Sequence, residues 1–505
     1  MKRILFILAA MMAISACGPE DTPTVETVPL SIDGKTLTFD AEGGEKTFTV
    51  KASENVLLVP GDTWVTAKKG TRDADYRTVV TVTVAANPDT EERSTRISVV
   101  AGEEKQYVEV EQAAKAVEPG PEPIVPVPEN NAAWNMASKL GIGWNLGNHF
   151  DAHNNGVSGE TFWGNAKATQ TTFTKIKAAG FSTVRIPVTW LGHIGEAPDY
   201  QIEAAWLDRV AEVVGYAEKA GLNVIVNMHH DGADSKYWLD IKTAALNTAV
   251  HEQIKEQVAV MWTQIAEKFA DKGEFLIFES FNEIHDGGWG WGANTKDGGK
   301  QYTCLNEWNQ AFVDAVRATG GNNANRILGV PAYCTNVDIA IESFVMPKDN
   351  VADRLMLSVH CYDPSKYCLE ASYSEWGHTA NDSKKAPGDN EADLKKVFEK
   401  VYVNYISKGI PVYLGEFGCV NRQTLREQAF QQYYLKYFAK LAKTYGIPPA
   451  IWDNGAKGTG NECHAFIDHG TGEWCSSEAQ AAIKALIGSY NDNLTLDQVY
   501  NNAPK

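Results

Sequence analysis

Two rhythms of hydrophobic and polar residues divide the chain. Between Leu30 and about Ala114 apolar and polar positions alternate, in "KTLTFD", "KTFTVKA", "VVTVTVAA", "TRISVVA" and "QYVEVEQ". A period of two in runs rich in Val and Thr, broken by Gly, Asn, Pro and Asp, predicts short antiparallel strands and a small β-sandwich over 30–114. Next, "VEPGPEPIVPVPEN" brings Pro119, Pro121, Pro123, Pro126 and Pro128 close together. Such spacing favours extended polyproline II, so 115–130 reads as a semi-rigid linker.

Beyond Asn130 continuous apolar runs alternate with amphipathic stretches. The runs are "GIGWNLGN", "TVRIPVTW", "NVIVNMHH", "FLIFESFNE", "RILGVPAY", "LMLSVHCY", "PVYLGEFG" and "PAIWDNG". Helices are predicted near 168–179, 203–220, 248–271, 305–319, 391–408, 423–445 and 478–487. Uninterrupted Val, Ile and Leu indicate strands covered on both faces, as in parallel sheets. Eight such units over 131–490 predict a (β/α)8 TIM barrel, with an open doubly wound sheet as the alternative; 491–505 remain as a tail.

Nearly every apolar run ends in polar residues: Asn145 and Asn148, Arg185, His229 and His230, Asn282 and Glu283, His360 and Tyr362, Glu416, then Trp452 and Asp453. In a barrel this places them together at the carboxyl-terminal face, where barrel enzymes carry their chemistry. Glu283 follows strand four and Glu416 lies on strand seven, facing each other across the mouth. Carboxylates about 5 Å apart suit retaining glycoside hydrolysis, one as nucleophile and one alternating between acid and base. Arg185 and Tyr362 are placed to hold Glu416 ionised, Asn282 to donate to a sugar 2-hydroxyl, and His360 to orient Glu283 and keep it protonated. Glu279 falls one layer below Glu283 by strand alternation and reads as buried support.

"GWNLGN", "ETFWGN", "IKAAGFSTVRIPVTW", "VIVNMHH", "FNE", "VHCY", "GEFG" and "IWDNG" together resemble glycoside hydrolase family five, in its fourth subfamily of endo-β-1,4-glucanases and xyloglucanases. The resemblance spans nearly all of 131–490. It implies Glu283 as acid/base, Glu416 as nucleophile, and Arg185, His229, Asn282, His360, Tyr362 and Trp452 around the reacting sugar, with no metal or organic cofactor. Many relatives carry an acidic residue directly after the histidine pair; here Asp231 is followed by "GADSKYW", where the pattern departs. The amino-terminal "AEGGEKTFTVKAS", Trp64, "AANPDTEERSTRISV" and "VEVEQ" resemble the BACON domain, a module that precedes glycan-degrading enzymes. Trp64 reads as a core aromatic and the domain as a spacer, with sugar binding as the alternative.

Several of these residues also admit a plain structural role. His230 serves equally as a substrate contact or as support for His229. Asn145 and Asn148 either bind sugar or satisfy backbone groups at a strand end. Among the 14 tryptophans, Trp163, Trp190, Trp238, Trp289, Trp291, Trp376 and Trp452 fall in predicted mouth loops, though some must be core. The glycines of "GGWGWG" leave Trp289 and Trp291 little to pack against, which favours substrate contact there, and Trp452 reads as the floor of the cleft.

Length and charge then set the wider frame. A chain of 505 residues exceeds one ordinary domain, and a formal charge of −18 repels nucleic acid. Residues 1–16, "MKRILFILAAMMAISA", form a basic then apolar export signal, too short to span a bilayer as a stable helix. The "ISAC" that closes it resembles a bacterial lipobox, which implies cleavage before Cys17 and a lipid on its sulfur; an ordinary signal with an incidental cysteine is the alternative. The acidic "GPED" from Cys17 onward, within a tether at 17–29, resembles Bacteroides-type surface lipoproteins and implies anchoring in the outer membrane by Cys17 with exposure at the surface; a monomer is expected. Seven further cysteines remain. Cys361 with Cys368 and Cys463 with Cys475 have the spacing for short bridged loops, and buried thiols are the other reading.

The expected function is hydrolysis of a plant β-glucan polysaccharide. Subfamily resemblance and a long sixth loop favour xyloglucan or mixed-linkage glucan. A β-mannanase on the same barrel is the enzymatic alternative, and a non-catalytic surface glycan-binding lipoprotein is the alternative from another class.

Overall fold

The computed structural model describes residues 27–88, 92–114, 123, 125, 128, 130–386 and 389–505. The expected export signal, Cys17, most of the expected tether and most of the proline-rich linker lie outside the described residues. The chain divides into two compact units, one up to residue 120 and one from residue 121.

The amino-terminal unit is built from two four-stranded sheets. One holds Ser31–Asp33, Gly44–Lys51, Arg77–Val84 and Val65–Lys69; the other holds Thr36–Phe39, Glu104–Gln112, Arg93–Ala101 and Val56–Pro60. The alternation read from sequence buries Phe48, Val50, Val80, Val82, Ile97, Val99, Val108 and Val110 between them. One pairing departs from expectation: Thr36–Phe39 runs parallel to Glu104–Gln112, which a two-residue period alone cannot reveal. Trp64 is half-buried against the edge of this core, with the Arg93 guanidinium 4.3 Å from its ring centroid.

The second unit is a closed eight-stranded parallel barrel. Its strands are Gly143–Asn145, Thr183–Ile186, Asn223–Asn227, Leu276–Glu279, Leu328–Pro331, Leu355–Cys361, Val412–Phe417 and Pro449–Ile451, the last pairing with the first. Outward residues such as Val184, Val224, Val226, Phe278, Val330, Leu414 and Phe417 pack under the helices. Inside, Ile225, Ile277, Ile327, Met356 and Tyr413 form the lowest layer. A helix not expected from the sequence, Ala132–Leu140, closes the barrel floor on that layer through Ala133, Met136, Ala137 and Leu140.

Other helix boundaries shift for identifiable reasons. The fourth barrel helix, Lys300–Ala318, begins five residues earlier than expected because the Asp297 carboxylate accepts from Gly299 N, Lys300 N and Gln301 N. Val337–Ser343, also unexpected, starts where Asn336 accepts from Asp338 N and Ile339 N. The tail carries a short helix, Leu496–Asn501, opened by a Thr495/Gln498 capping box and held by buried Val499. All seven described cysteines are unpaired thiols; Cys368 Sγ donates to Tyr434 OH at 3.1 Å.

Candidate active site

Strand alternation stacks polar groups above the apolar floor. Asn145, Arg185, Asn227, Glu279 and Ser358 form a buried middle layer, and Glu283, His360 and Glu416 stand above it. Strict alternation along strand seven would turn Glu416 to the same side as Leu414, towards the helices. The strand is irregular between Leu414 and Phe417: His360 pairs with Glu416 while Val359 pairs with Leu414. The extra residue, Gly415, is a bulge that re-aims Glu416 into the mouth.

Arg185 is the hub of the middle layer. Its Nε donates to Glu279 Oε2 at 2.8 Å, Nη1 to Glu416 Oε1 at 2.8 Å and Asn145 Oδ1 at 3.1 Å, and Nη2 to Asn282 Oδ1 at 2.8 Å. Glu279 also accepts from Asn227 Nδ2 at 2.9 Å, Ser358 Oγ at 2.6 Å and Tyr413 OH at 2.8 Å. Burial alone would push Glu279 up and Arg185 down. Each instead moves the other way, Glu279 below the usual carboxylate range and Arg185 above its ordinary value, because the opposite charges meet directly.

In the mouth, Tyr362 OH donates to Glu416 Oε2 at 2.9 Å. His360 Nδ1 lies 2.7 Å from Glu283 Oε1 and 3.7 Å from Glu416 Oε2. One oxygen of Glu283 and one of Glu416 are within 4.8 Å of each other. Thr335, missed in the sequence, donates its hydroxyl to Cys334 O at 2.7 Å and brings it to 3.4 Å from Glu283 Oε1, from a turn in which Cys334 (φ 54°) and Thr335 (φ 47°) are both left-handed.

Three expectations need correction. Asn145 does not face the cleft: it is 0% exposed, and its Nδ2 donates to the carbonyls of Gly415, Ala450 and Ile451. The surroundings of Glu283 do not on balance favour its protonated form. Burial pushes its pKa up, but the His360 hydrogen bond and the nearby His360, His285 and His230 bring it net below the usual glutamate value. Trp190 and Trp376, expected in mouth loops, are core residues.

The remaining residues fall as follows. His229 Nε2 points at Glu416 Oε1 from 3.9 Å, and the Trp452 ring stacks parallel to the imidazole at 5.9 Å between centroids. His230 is partly exposed beside it, edge-on, with its Nε2 3.9 Å from Asp151 Oδ2. Trp452 is 8% exposed, Trp289 56% and Trp291 86%. The "GGWGWG" loop is anchored, not loose. Asp286 accepts from Gly288 N, Asn294 N and Gln301 Nε2, and a Cβ at Gly292 would sit 2.3 Å from Asp286 Oδ1. Asp231, where the family pattern departed, accepts from Trp190 N and Trp238 Nε1, so it braces the mouth from behind. Burial raises its pKa to about 7 against those two donors.

Among the described residues three triads bring donor atoms within metal-binding distance: Glu283, His360 and Glu416; Asp151, His229 and His230; and, away from the mouth, His251, Glu252 and Glu307. In the first, Arg185, Tyr362 and the Glu283–His360 bond already occupy the atoms concerned. What the arrangement offers is a carboxylate oxygen on each side of a gap one sugar bond wide, with separate partners for each acid.

A family model described as Cellulase (glycosyl hydrolase family 5) matches residues 148–458, and the BACON model matches residues 59–113. Endoglucanase A of Paenibacillus barcinonensis is 39% identical over 383 residues, covering 72% of this chain and 88% of that protein. The xyloglucan-specific endo-beta-1,4-glucanase of Bacteroides ovatus is 31% identical over 476 residues, covering 90% of this chain and 91% of that protein. Among solved structures, a GH5-4 broad specificity endoglucanase from Bacteroides salanitronis superposes with a TM-score of 0.70 at 54% identity, covering 74% of this chain and 99% of that one.

Proposed function

The chain belongs to glycosyl hydrolase family 5, and on that footing we propose that it is a retaining endo-β-1,4-glucanase acting on plant cell-wall β-glucan. The observation that carries this reading is the approach of Glu283 and Glu416 to within 4.8 Å between oxygens, the spacing of a double displacement. A lone pair of Glu416 attacks the anomeric carbon and forms a glycosyl ester. The glycosidic C–O bond breaks as Glu283 gives its proton to the leaving oxygen. Water then yields a proton to Glu283 and opens the ester, restoring both acids.

The surrounding groups support this division. Arg185 and Tyr362 each donate to one oxygen of Glu416, which aims it and disperses charge as the ester forms and breaks. Because Asn282 Oδ1 is engaged by Arg185, its Nδ2 is the end left to meet a sugar 2-hydroxyl. Glu283 must gain its proton as substrate arrives; displacing water from its exposed side favours the neutral acid, and the His360 bond then runs from carboxyl to Nδ1. Trp452 supplies the cleft floor, His230 a flank, and Trp289 and Trp291 an aromatic rim for flat pyranose faces.

Xyloglucan or mixed-linkage glucan is the favoured substrate, since the Bacteroides ovatus xyloglucanase aligns along both units of the chain and the Bacteroides salanitronis enzyme is broad in specificity. The amino-terminal sequence supports export, lipid attachment at Cys17 and outer-membrane anchoring facing outward. Cys17→Ser releasing the enzyme from membranes tests that part. The reacting groups all come from one chain, which suits a monomer.

Product release from tamarind xyloglucan, barley mixed-linkage glucan, carboxymethylcellulose and galactomannan tests the reading, with native protein beside Glu283→Ala and Glu416→Ala and the product anomer followed by NMR. Turnover of a β-glucan with first-formed β-anomer, lost in both variants, is the expected result. Inverted product refutes the mechanism, galactomannan turnover alone gives a mannanase, and binding without turnover gives a glycan-capture protein.

A further inference from the structure

We infer that Asn227 is a positioning residue that fixes the ring proton of His229 on Nε2, so that this histidine presents an N–H to the sugar seated against Glu416. The inference rests on the glucanase reading for its consequence, though not for its geometry.

Asn227 and His229 lie two positions apart at the end of strand three and so share the inward face. The orientation of the Asn227 amide is determined twice. Val188 N lies 3.2 Å from one end, and a backbone N–H can only donate, so that end is Oδ1. The other end lies 2.9 Å from Glu279 Oε2, a carboxylate held ionised by Arg185, so it must be the donor, Nδ2. That same Nδ2 is 3.2 Å from His229 Nδ1. Nδ1 therefore faces a donor and must accept, and the proton of a neutral ring resides on Nε2.

The neutral ring is secured separately. Burial first, then the neighbouring His230, Arg185 and His360, push the His229 pKa well below its ordinary value. A neutral imidazole has one proton, so the tautomer decides whether the cleft meets an N–H or a lone pair. Nε2 stands 3.9 Å from Glu416 Oε1, too far for a direct hydrogen bond, while Trp452 stacked on the ring fixes its plane. The N–H is thus aimed beside Glu416 and left for a sugar hydroxyl. Glu279 gains a second role: by accepting from Asn227 it propagates the charge of Arg185 into the choice of tautomer.

The test uses the full chain labelled with 15N-histidine, with the His229 signals assigned by their loss in His229→Gln. The native protein is expected to show a protonated Nε2 and an unprotonated Nδ1, a reading that needs no altered Asn227. In Asn227→Asp the oxygen facing Nδ1 draws the proton there. At neutral pH kcat is expected to fall about tenfold, the worth of one transition-state hydrogen bond. The loss should shrink towards acid pH, where a second proton restores Nε2–H. A merely structural defect would lower activity equally at all pH. A native proton on Nδ1 overturns the inference, as does a flipped tautomer in Asn227→Asp with native kcat and pH profile. Absence of glucan turnover by the native protein would strike the glucanase reading while leaving the 15N result to stand or fall alone.

Discussion

Arg185 and Glu416, 231 residues apart in sequence, meet at 2.8 Å, and the other edge of the same guanidinium holds Glu279 at 2.8 Å. One cation thereby serves the carboxylate in the mouth and the carboxylate beneath it. Arg185→Met strands both in a low-dielectric interior, and the expected cost is about 3–5 kcal/mol of stability at neutral pH. The pH dependence follows from Glu279, whose folded pKa is depressed. Its contribution is present above its unfolded pKa, about 4.5, and is lost as the pH falls through the lower folded value. Tm measured from pH 7 to 3 should drop on acidification in the native protein. In Arg185→Met the gap between the two should narrow; a constant gap would show that Glu279 does not depend on Arg185.

Gly415 makes room for His360. A Cβ there would lie 2.9 Å from His360 Nε2 and 3.2 Å from Ser358 Oγ. Gly415→Ala is expected to push the imidazole off Glu283, lowering kcat by about 10- to 100-fold and shifting a limb of the pH–rate profile. Full activity with an unchanged profile would mean that the ring does not govern Glu283.

Asp231 has a folded pKa raised to about 7 by burial, against 3.8 for the free side chain. The folded state therefore holds its proton more tightly. Its stabilising contribution is complete below about pH 3.8 and declines as the pH rises towards 7. Asp231→Asn should show a flatter Tm profile than the native protein over that window. Parallel profiles would assign the pH dependence to other groups, Asp151 first among them, since burial raises it to about 7 as well.

Trp291 is 86% exposed, so Trp291→Ala should change stability by no more than about 0.5 kcal/mol. If its face carries a sugar ring, KM for polymeric glucan should rise about fivefold, with kcat altered less. Steady-state kinetics beside a melting curve separate the two effects. Unchanged KM would remove Trp291 from the substrate rim.

The barrel was legible because its strands are covered on both faces and so carry uninterrupted apolar runs, such as "NVIVN" and "VYLGEF". Two of the helices that escaped notice, Ala132–Leu140 and Val337–Ser343, are short, and each begins at an asparagine cap without a long amphipathic stripe. Thr335 and Asn227 carried no signal of their own. One lies on a turn whose left-handed residues are not glycine, and the other looks like any polar residue at a strand end.

Residue order alone therefore establishes two units, eight barrel strands and a ring of polar residues at their ends, since periodicity and burial are local properties of the chain. Which of those residues face the cleft was decided by packing. The bulge at Gly415 turns Glu416 inward against strict alternation, whereas Asn145, at an equally polar strand end, is consumed by neighbouring carbonyls. The proton balance of Glu283 likewise depends on histidines brought from three strands or their loops. These outcomes are set by distances between groups far apart in sequence, and such distances exist only once the barrel has closed.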